Sequence, residues 1–133
     1  MSSQTLNRSG MWSRRHPARE IQRLTGAEKV LDIGCGPGRN LIFPISVGLD
    51  IDIRAVTRAR VKAHVVLGDA HNLPFRNKIF DRSLLWSVLN YLEDPNQAYD
   101  EAVRVSNQDP VYSLVNYAKN ARWIITEKEG DPQ

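Results

Sequence analysis

What the chain lacks narrows the reading first. One cysteine, Cys35, in 133 residues excludes an internal disulfide and suits a reducing compartment. No apolar run approaches the length of a membrane span, so no membrane partner is expected. Met1 to Gly10 is polar and holds no apolar signal-peptide core, so a cytoplasmic protein is expected. No G-x-x-x-x-G-K-[ST] occurs, which removes a P-loop. No internal repeat or low-complexity segment is present, and no metal site is expected. What remains is 133 residues with 41% apolar and 25% charged side chains, enough for one soluble domain with one modest core.

Charge is unevenly placed. The net +3 divides into +6 over residues 1–66 and −3 over residues 67–133. Arg8, Arg14, Arg15, Arg19 and Arg23 form one basic cluster, and Arg54, Arg58, Arg60 and Lys62 another. Such clusters attract phosphate, but solvated helix faces are the simpler account.

The most informative stretch runs from Lys29 to Asn40. Val30, Leu31 and Ile33 suit a strand covered on both faces. Gly34, Gly36 and Gly38 suit a tight turn with close backbone approach. A helix after that turn is expected to aim free N–H groups and a positive dipole end at a ligand. The spacing is G-x-G-x-G, with Arg39 where the dinucleotide pattern G-x-G-x-x-G needs its third glycine. Asp32, two residues before the first glycine, and Asp50, ending the next strand, suit a cationic amine and a ribose diol better than a pyrophosphate.

The rest of the chain alternates strands and helices. Residues 1–16 are expected to be a flexible N-terminal segment or lid, with Met11 and Trp12 as its apolar anchors. Residues 17–133 are expected to form a single domain. Pro17 to Thr25 reads as a helix stopped by Gly26. Pro44 limits the helix after the glycine turn to little more than one turn. Ser46 to Asp50 is the second strand. Asp52 caps a helix from Ile53 to about Lys62. Strands follow over Ala63 to Gly68, Phe80 to Trp86 and Val111 to Tyr117. Asp94-Pro95-Asn96-Gln97 starts the last helix, with Gln97 at the reach-back position. This alternation predicts an α/β fold, a doubly wound parallel sheet with helices on both faces. Asp50, Asp69 and Trp86 end three strands, so they converge with the glycine turn on the carboxyl rim, where such sheets bind ligands.

From Lys29 to Tyr117 the order of motifs resembles the class I S-adenosylmethionine-dependent methyltransferases, in the branch containing ubiquinone and menaquinone biosynthesis enzymes. The motifs are Leu31 to Asn40, the acid Asp50, the run Gly68-Asp69-Ala70-His71-Asn72-Leu73-Pro74-Phe75, and Phe80-Asp81 through Leu92. The resemblance implies a Rossmann-like sheet of strand order 3-2-1-4-5. It implies S-adenosylmethionine as cofactor, S-adenosylhomocysteine as product, and no metal. Asp50 would bind the ribose hydroxyls, and Asp69 the adenine amino group. Ile51 and Ala70 would lie against adenine, and Asp32 would brace the glycine loop and face the amine. Gly34, Cys35, Gly36, Gly38, Asn40 and Trp86 complete the implied cofactor set, with Cys35 as packing and not as a nucleophile.

Two departures stand out. Gly34 and Asp50 are 16 residues apart, where the family commonly has about five more. After the fifth strand only 16 residues remain, so the C-terminal antiparallel strands are expected to be largely missing. Residues 122–127 fit a helix or one edge strand equally well. Either the fifth strand is then an uncovered edge, or the apolar Trp123, Ile124 and Ile125 cover it and leave less chain to roof the acceptor pocket, and completion of one of the two surfaces predicts a homodimer or a partner subunit. Absence of [DNS]-P-P-[YF] and of a Pro-Cys nucleophile argues against the usual amino-base and cytosine-C5 methylases. Trp86, Asn90 and Tyr91 are the acceptor-side candidates, and no catalytic residue can be named. The expected function is methyl transfer to a small-molecule substrate. The alternatives are a cofactor-binding, non-catalytic or partner-dependent subunit, and a substrate variant acting on RNA.

Overall fold

The computed structural model describes residues 3–5, 17–115 and 121–126. The elements in chain order are β1 (Ser3–Thr5), α1 (Pro17–Thr25), β2 (Lys29–Ile33), β3 (Ile45–Asp50), α2 (Ile53–Ala59), β4 (His64–Leu67) and β5 (Arg82–Leu85). A 3₁₀-helix (Leu89–Tyr91), α3 (Pro95–Val105), β6 (Val111–Val115) and β7 (Ala121–Thr126) complete them. Met11, Trp12, and residues 116–117 of the expected fifth strand lie outside the described residues.

One seven-stranded sheet has the order β1-β7-β6-β5-β2-β3-β4. Its five parallel strands, β4-β3-β2-β5-β6, reproduce the expected 3-2-1-4-5 order. The sheet buries both faces because alternate residues of one strand serve opposite layers. On β2, Leu31 and Ile33 pack with Leu49, Leu85 and with Ala98, Ala102 and Val105 of α3. Val30 instead packs with Leu84, Val111, Phe43 and Ala18 of α1. Val56 and Ala59 bring α2 onto Val65 and Cys35. Among the described residues no helix is long and apolar enough to cross a membrane.

Local chemistry sets the ends of the elements. Gly26, at φ 66°, closes α1 and returns its N–H to Gln22 O at 2.9 Å. Asp52 accepts the Arg54 N–H at 2.9 Å and starts α2, as expected. Asp94 accepts the Gln97 N–H and starts α3. Asp81 accepts the N–H groups of Glu28 and Lys29, tying the entry of β5 to that of β2.

Two expectations need correction. No helix follows the glycine turn: residues 34–44 run as turns closed by Gly38 N–H to Cys35 O and Leu41 N–H to Gly38 O. Three left-handed glycines, Pro37 and Pro44 leave no run long enough to nucleate one. The second concerns the edge at β6. Residues 121–126 are a strand that pairs antiparallel with β6 from Val111↔Ile125 to Val115↔Ala121. β1, from the opposite end of the chain, pairs antiparallel with β7 through Ser3↔Thr126. Only one of the two antiparallel strands is C-terminal, yet β6 is not an open edge. The premise for a second copy or partner subunit at that edge is gone. Ser3–Thr5 belongs to the segment expected to be flexible or a lid, and it forms a sheet strand.

Candidate functional site

The site is built on the carboxyl ends of β2, β3, β4 and β5. Its floor is the glycine turn, which is fastened to β3. The N–H groups of Gly34 and Cys35 both donate to Leu49 O, at 2.7 and 3.0 Å. The Gly36 N–H donates to Asp50 Oδ2 at 2.9 Å, while Asp50 Oδ1 accepts the Asp52 N–H at 2.9 Å. The first three amides of the turn therefore serve the sheet, not a ligand. With no helix behind them, the expected dipole contribution is absent too. The glycines act by conformation and by space. Gly34 sits at φ 72°, and a Cβ there would come within 2.7 Å of Val88 Cγ2. Gly36 sits at φ 55°, and a Cβ there would meet no protein atom within 4 Å. Open space therefore lies above Gly36.

Beside this turn is a cavity of about 390 Å³, within the range of roughly 300–1,000 Å³ usual for small-molecule sites. It brings together Gly34, Asp50, Ile51, Asp69 and Ala70 with Tyr91. Ile51 is 73% exposed and Tyr91 70% exposed, so both present apolar surface to a ligand. Asp50, Asp69 and Glu93 supply three carboxylates to the lining, and among the described residues no Arg or Lys joins them. A pyrophosphate would meet like charge from these three carboxylates, whereas a cation or a diol fits.

His71 also lines this cavity, and it organises the adjoining loop. Its N–H donates to Asp69 Oδ1 at 2.9 Å, and its Nδ1 meets the same oxygen at 2.8 Å. These donors hold the Asp69 carboxyl below the usual carboxylate range. On the far side of the ring, Nε2 accepts the Asp94 N–H at 3.1 Å, which makes Nδ1 the protonated nitrogen. Gln97 Nε2 donates to His71 O at 2.9 Å instead of reaching back to its own cap. The rest of the loop is clamped by α3. Glu101 accepts the Leu73 N–H, and Arg104 donates to the carbonyls of Leu73 and Phe75 and to Asn77. Arg104 also pairs with Glu101, which keeps that carboxyl low.

A second cavity, of about 650 Å³, lies against the first, and Leu92 lines both. Asn90 belongs to this second lining, with Leu89, Pro95, Asn96, Tyr99 and Tyr112.

A family model described as "Methyltransferase domain" matches residues 31–112. The chain belongs to that family. It is 36% identical over 114 residues to an uncharacterised protein of Methanocaldococcus jannaschii, covering 80% of this chain and 45% of that one. It is 34% identical over 92 residues to the tRNA (carboxymethyluridine(34)-5-O)-methyltransferase of Arabidopsis thaliana, covering 64% of this chain and 23% of that one. A solved structure from Thermotoga maritima superposes with a TM-score of 0.67 at 26% identity, covering 76% of this chain and 51% of that one. It is described as a SAM-dependent methyltransferase, possible histamine N-methyltransferase. The chain thus spans about half the length of these proteins, or less.

Within this methyltransferase domain, the remaining expected residues lie away from the first cavity. Asp32 is 2% exposed, and its Oδ2 has no hydrogen-bond partner among the described residues. Burial, and then the charge of Asp50, push its carboxyl up to about 8. Cys35 packs with Leu41, Val56, Ala59 and Val65, and burial followed by the charges of Asp32 and Asp50 pushes its thiol up to about 12. A thiol so raised is no nucleophile, which agrees with its reading as packing. Gly38 meets α2, where a Cβ would lie 3.3 Å from Ala59 Cα. Asn40 is buried, and its Oδ1 is unpartnered among the described residues. Trp86 packs against the layer of Ala18, Val30 and Leu84, outside the lining of both cavities. Parity explains this: Leu84 and Trp86 are two apart, so they share a face. Of the acceptor-side candidates, Tyr91 faces the first cavity and Asn90 the second.

Val88, Leu92, Glu93 and His71 line the first cavity, and sequence reasoning did not place them there. Ser87 explains Val88. At φ 57°, with its N–H bonded to Ser113 Oγ, Ser87 turns the chain leaving β5 so that Val88 meets Gly34. No glycine or proline marks that turn in the sequence. For His71 a sequence signal exists: it lies two residues after an aspartate, and an aspartate side chain readily bonds the i+2 amide.

Proposed function

We propose that this domain binds S-adenosylmethionine in the first cavity and transfers its methyl group to an acceptor. One observation carries the reading: Asp50, Ile51, Asp69 and Ala70, from the ends of two different strands, line one cavity with Gly34. The donor set suits the cofactor. Each Asp50 oxygen accepts one backbone N–H, so about half of the acceptor capacity of the carboxylate remains for ribose hydroxyls. Both bonds to Asp69 fall on Oδ1, which leaves Oδ2 for the adenine amino group. Ile51 and Ala70 flank the ring position, and the open space over Gly36 admits the ligand.

When bound, the cofactor supplies a methyl group on a cationic sulfur. Held by Asp50 and Asp69, it would deliver that methyl group to the nucleophilic atom of the acceptor, with the electron pair left on sulfur and the proton of the acceptor passing to water. The chain contributes position and exclusion of water. Asp50 and Asp69 fix the two ends of the nucleoside, and Tyr91 covers the mouth. Family membership and the printed description of the Thermotoga maritima protein support the cofactor assignment.

The test is calorimetric titration with S-adenosylhomocysteine, followed by turnover with S-adenosylmethionine against separate small-molecule and RNA pools. Saturable binding with turnover supports an enzyme. Binding without turnover would support the cofactor-binding subunit instead. RNA turnover would favour the reading motivated by the basic residues of α2 and by the Arabidopsis tRNA enzyme.

A further inference from the structure

The second cavity differs in chemistry from the first. The first carries three carboxylates, and among the described residues the second is lined by no charged side chain. The two meet at Leu92, and the 3₁₀-helix Leu89–Tyr91 divides them, with Tyr91 on one side and Asn90 on the other. We infer that the second cavity is the methyl-acceptor pocket and that it takes an uncharged molecule bearing an aromatic ring, an inference that rests on the proposed methyltransferase reading.

Three observations support this class. The first is charge. Among the described residues of this lining, a phosphate or carboxylate would lose hydration and gain no cation, and an ammonium would gain no anion. Tyr112 does not supply one, because burial raises its phenol and keeps it neutral. The second is the aromatic wall. Tyr99 and Tyr112 form an edge-to-face pair with centroids 5.7 Å apart and planes at 88°. Such a pair readily extends to a third ring, since each ring satisfies its quadrupole through one face or edge. The third is size and position. A volume of about 650 Å³ suits a small molecule, and the shared wall at Leu92 puts its occupant next to the cofactor. The carboxamide of Asn96 adds a polar group that orients a hydroxyl or carbonyl on the ring.

The experiment uses the full chain saturated with S-adenosylhomocysteine and titrates four probes of similar size: 4-methylphenol, benzoate, benzylammonium and phenyl phosphate. Nuclear magnetic resonance line shifts or calorimetry read the affinities. The phenol is expected to bind at least about tenfold more tightly than each charged probe. Asn96→Trp, on the exposed first turn of α3, fills the cavity mouth and should abolish phenol binding while leaving S-adenosylhomocysteine affinity unchanged. Tyr99→Leu should weaken phenol binding about fivefold or more through loss of the ring contact. Equal or tighter binding of any charged probe overturns the inference, and a preference for phenyl phosphate would point to RNA. Absence of saturable phenol binding, or binding that survives Asn96→Trp, also overturns it. Failure of wild type to bind S-adenosylhomocysteine is a different result: it removes the cofactor reading, and the phenol titration still reports on the pocket.

Discussion

His71 Nε2 accepts the backbone N–H of Asp94 while its Nδ1–H meets Asp69, so one imidazole joins the loop after β4 to the start of α3. His71→Ala removes both ring bonds and keeps only the main-chain donor to Asp69. S-adenosylhomocysteine affinity should fall by about two- to tenfold, and stability by about 0.5–1.5 kcal/mol, in line with one or two lost hydrogen bonds. Calorimetry and a denaturant melt on the same preparation check both numbers. Unchanged affinity would detach His71 from the site.

Asp50 has two functions on the proposed reading, and a substitution tests them together. Asp50→Ala removes the acceptor for the Gly36 N–H as well as the ribose contact. Binding of S-adenosylhomocysteine should weaken by about 1.5–3 kcal/mol or more, roughly tenfold to over a hundredfold. Asp50→Asn should recover little, because its amide cannot accept both backbone donors. A dissociation constant equal to that of wild type would remove Asp50 from the ribose position.

Gly34 and Gly36 should fail in different ways. A Cβ at Gly36 meets no protein atom within 4 Å, so Gly36→Val should retain a cooperative melt, lowered by its left-handed backbone, and lose ligand binding. Gly34→Ala drives a methyl group into Val88 and should lower stability first, by about 1–3 kcal/mol. Thermal melts with and without S-adenosylhomocysteine separate the two outcomes. Ligand stabilisation that persists in Gly36→Val would place the ligand elsewhere.

Asp32 predicts a pH dependence. Its carboxyl is raised in the folded state from 3.8 to about 8. The folded protein therefore holds a proton that the unfolded chain releases above about pH 4. Stability from this group is complete below that pH and is lost as pH rises towards 8. Asp32→Asn keeps the shape without the titration. It should match wild type near pH 4 and exceed it by more than about 1 kcal/mol at pH 8, since each tenfold difference in proton affinity between the folded and unfolded chain is worth about 1.4 kcal/mol. Parallel denaturant curves at the two pH values decide the matter.

The sheet was legible because each parallel strand announces itself locally. Val30 to Ile33 is apolar but for Asp32, and Asp50 and Gly68 mark strand exits by residue type. The carboxyl rim follows from that order alone, so the sequence already groups Asp50, Ile51, Asp69 and Ala70. Non-local features were not legible. The pairing of Ser3 with Thr126 spans almost the whole chain, and neither segment carries a distinctive pattern. The edge of β6 is closed by β7 and β1, which leaves the acceptor side as the surface for the expected second copy or partner. The missing helix after Gly38 reflects a fine balance: propensity allows one turn, but nucleation is not repaid. Gln97 has the spacing to close its own capping box, yet His71, 26 residues away, takes its side chain.

The acidic lining of the first cavity bears on turnover as well as on binding. Asp50, Asp69 and Glu93 line the cavity with no Arg or Lys beside them among the described residues, and the glycine turn offers no aligned amide dipoles to offset them. On the proposed reading, the molecule that enters carries a positive sulfur and the molecule that leaves carries a neutral one. The same wall that attracts the first therefore loses part of its hold on the second as soon as the methyl group has moved. On that reading the loss of charge on sulfur favours exchange of product for fresh cofactor, while the ribose and adenine contacts of Asp50 and Asp69 are common to both molecules.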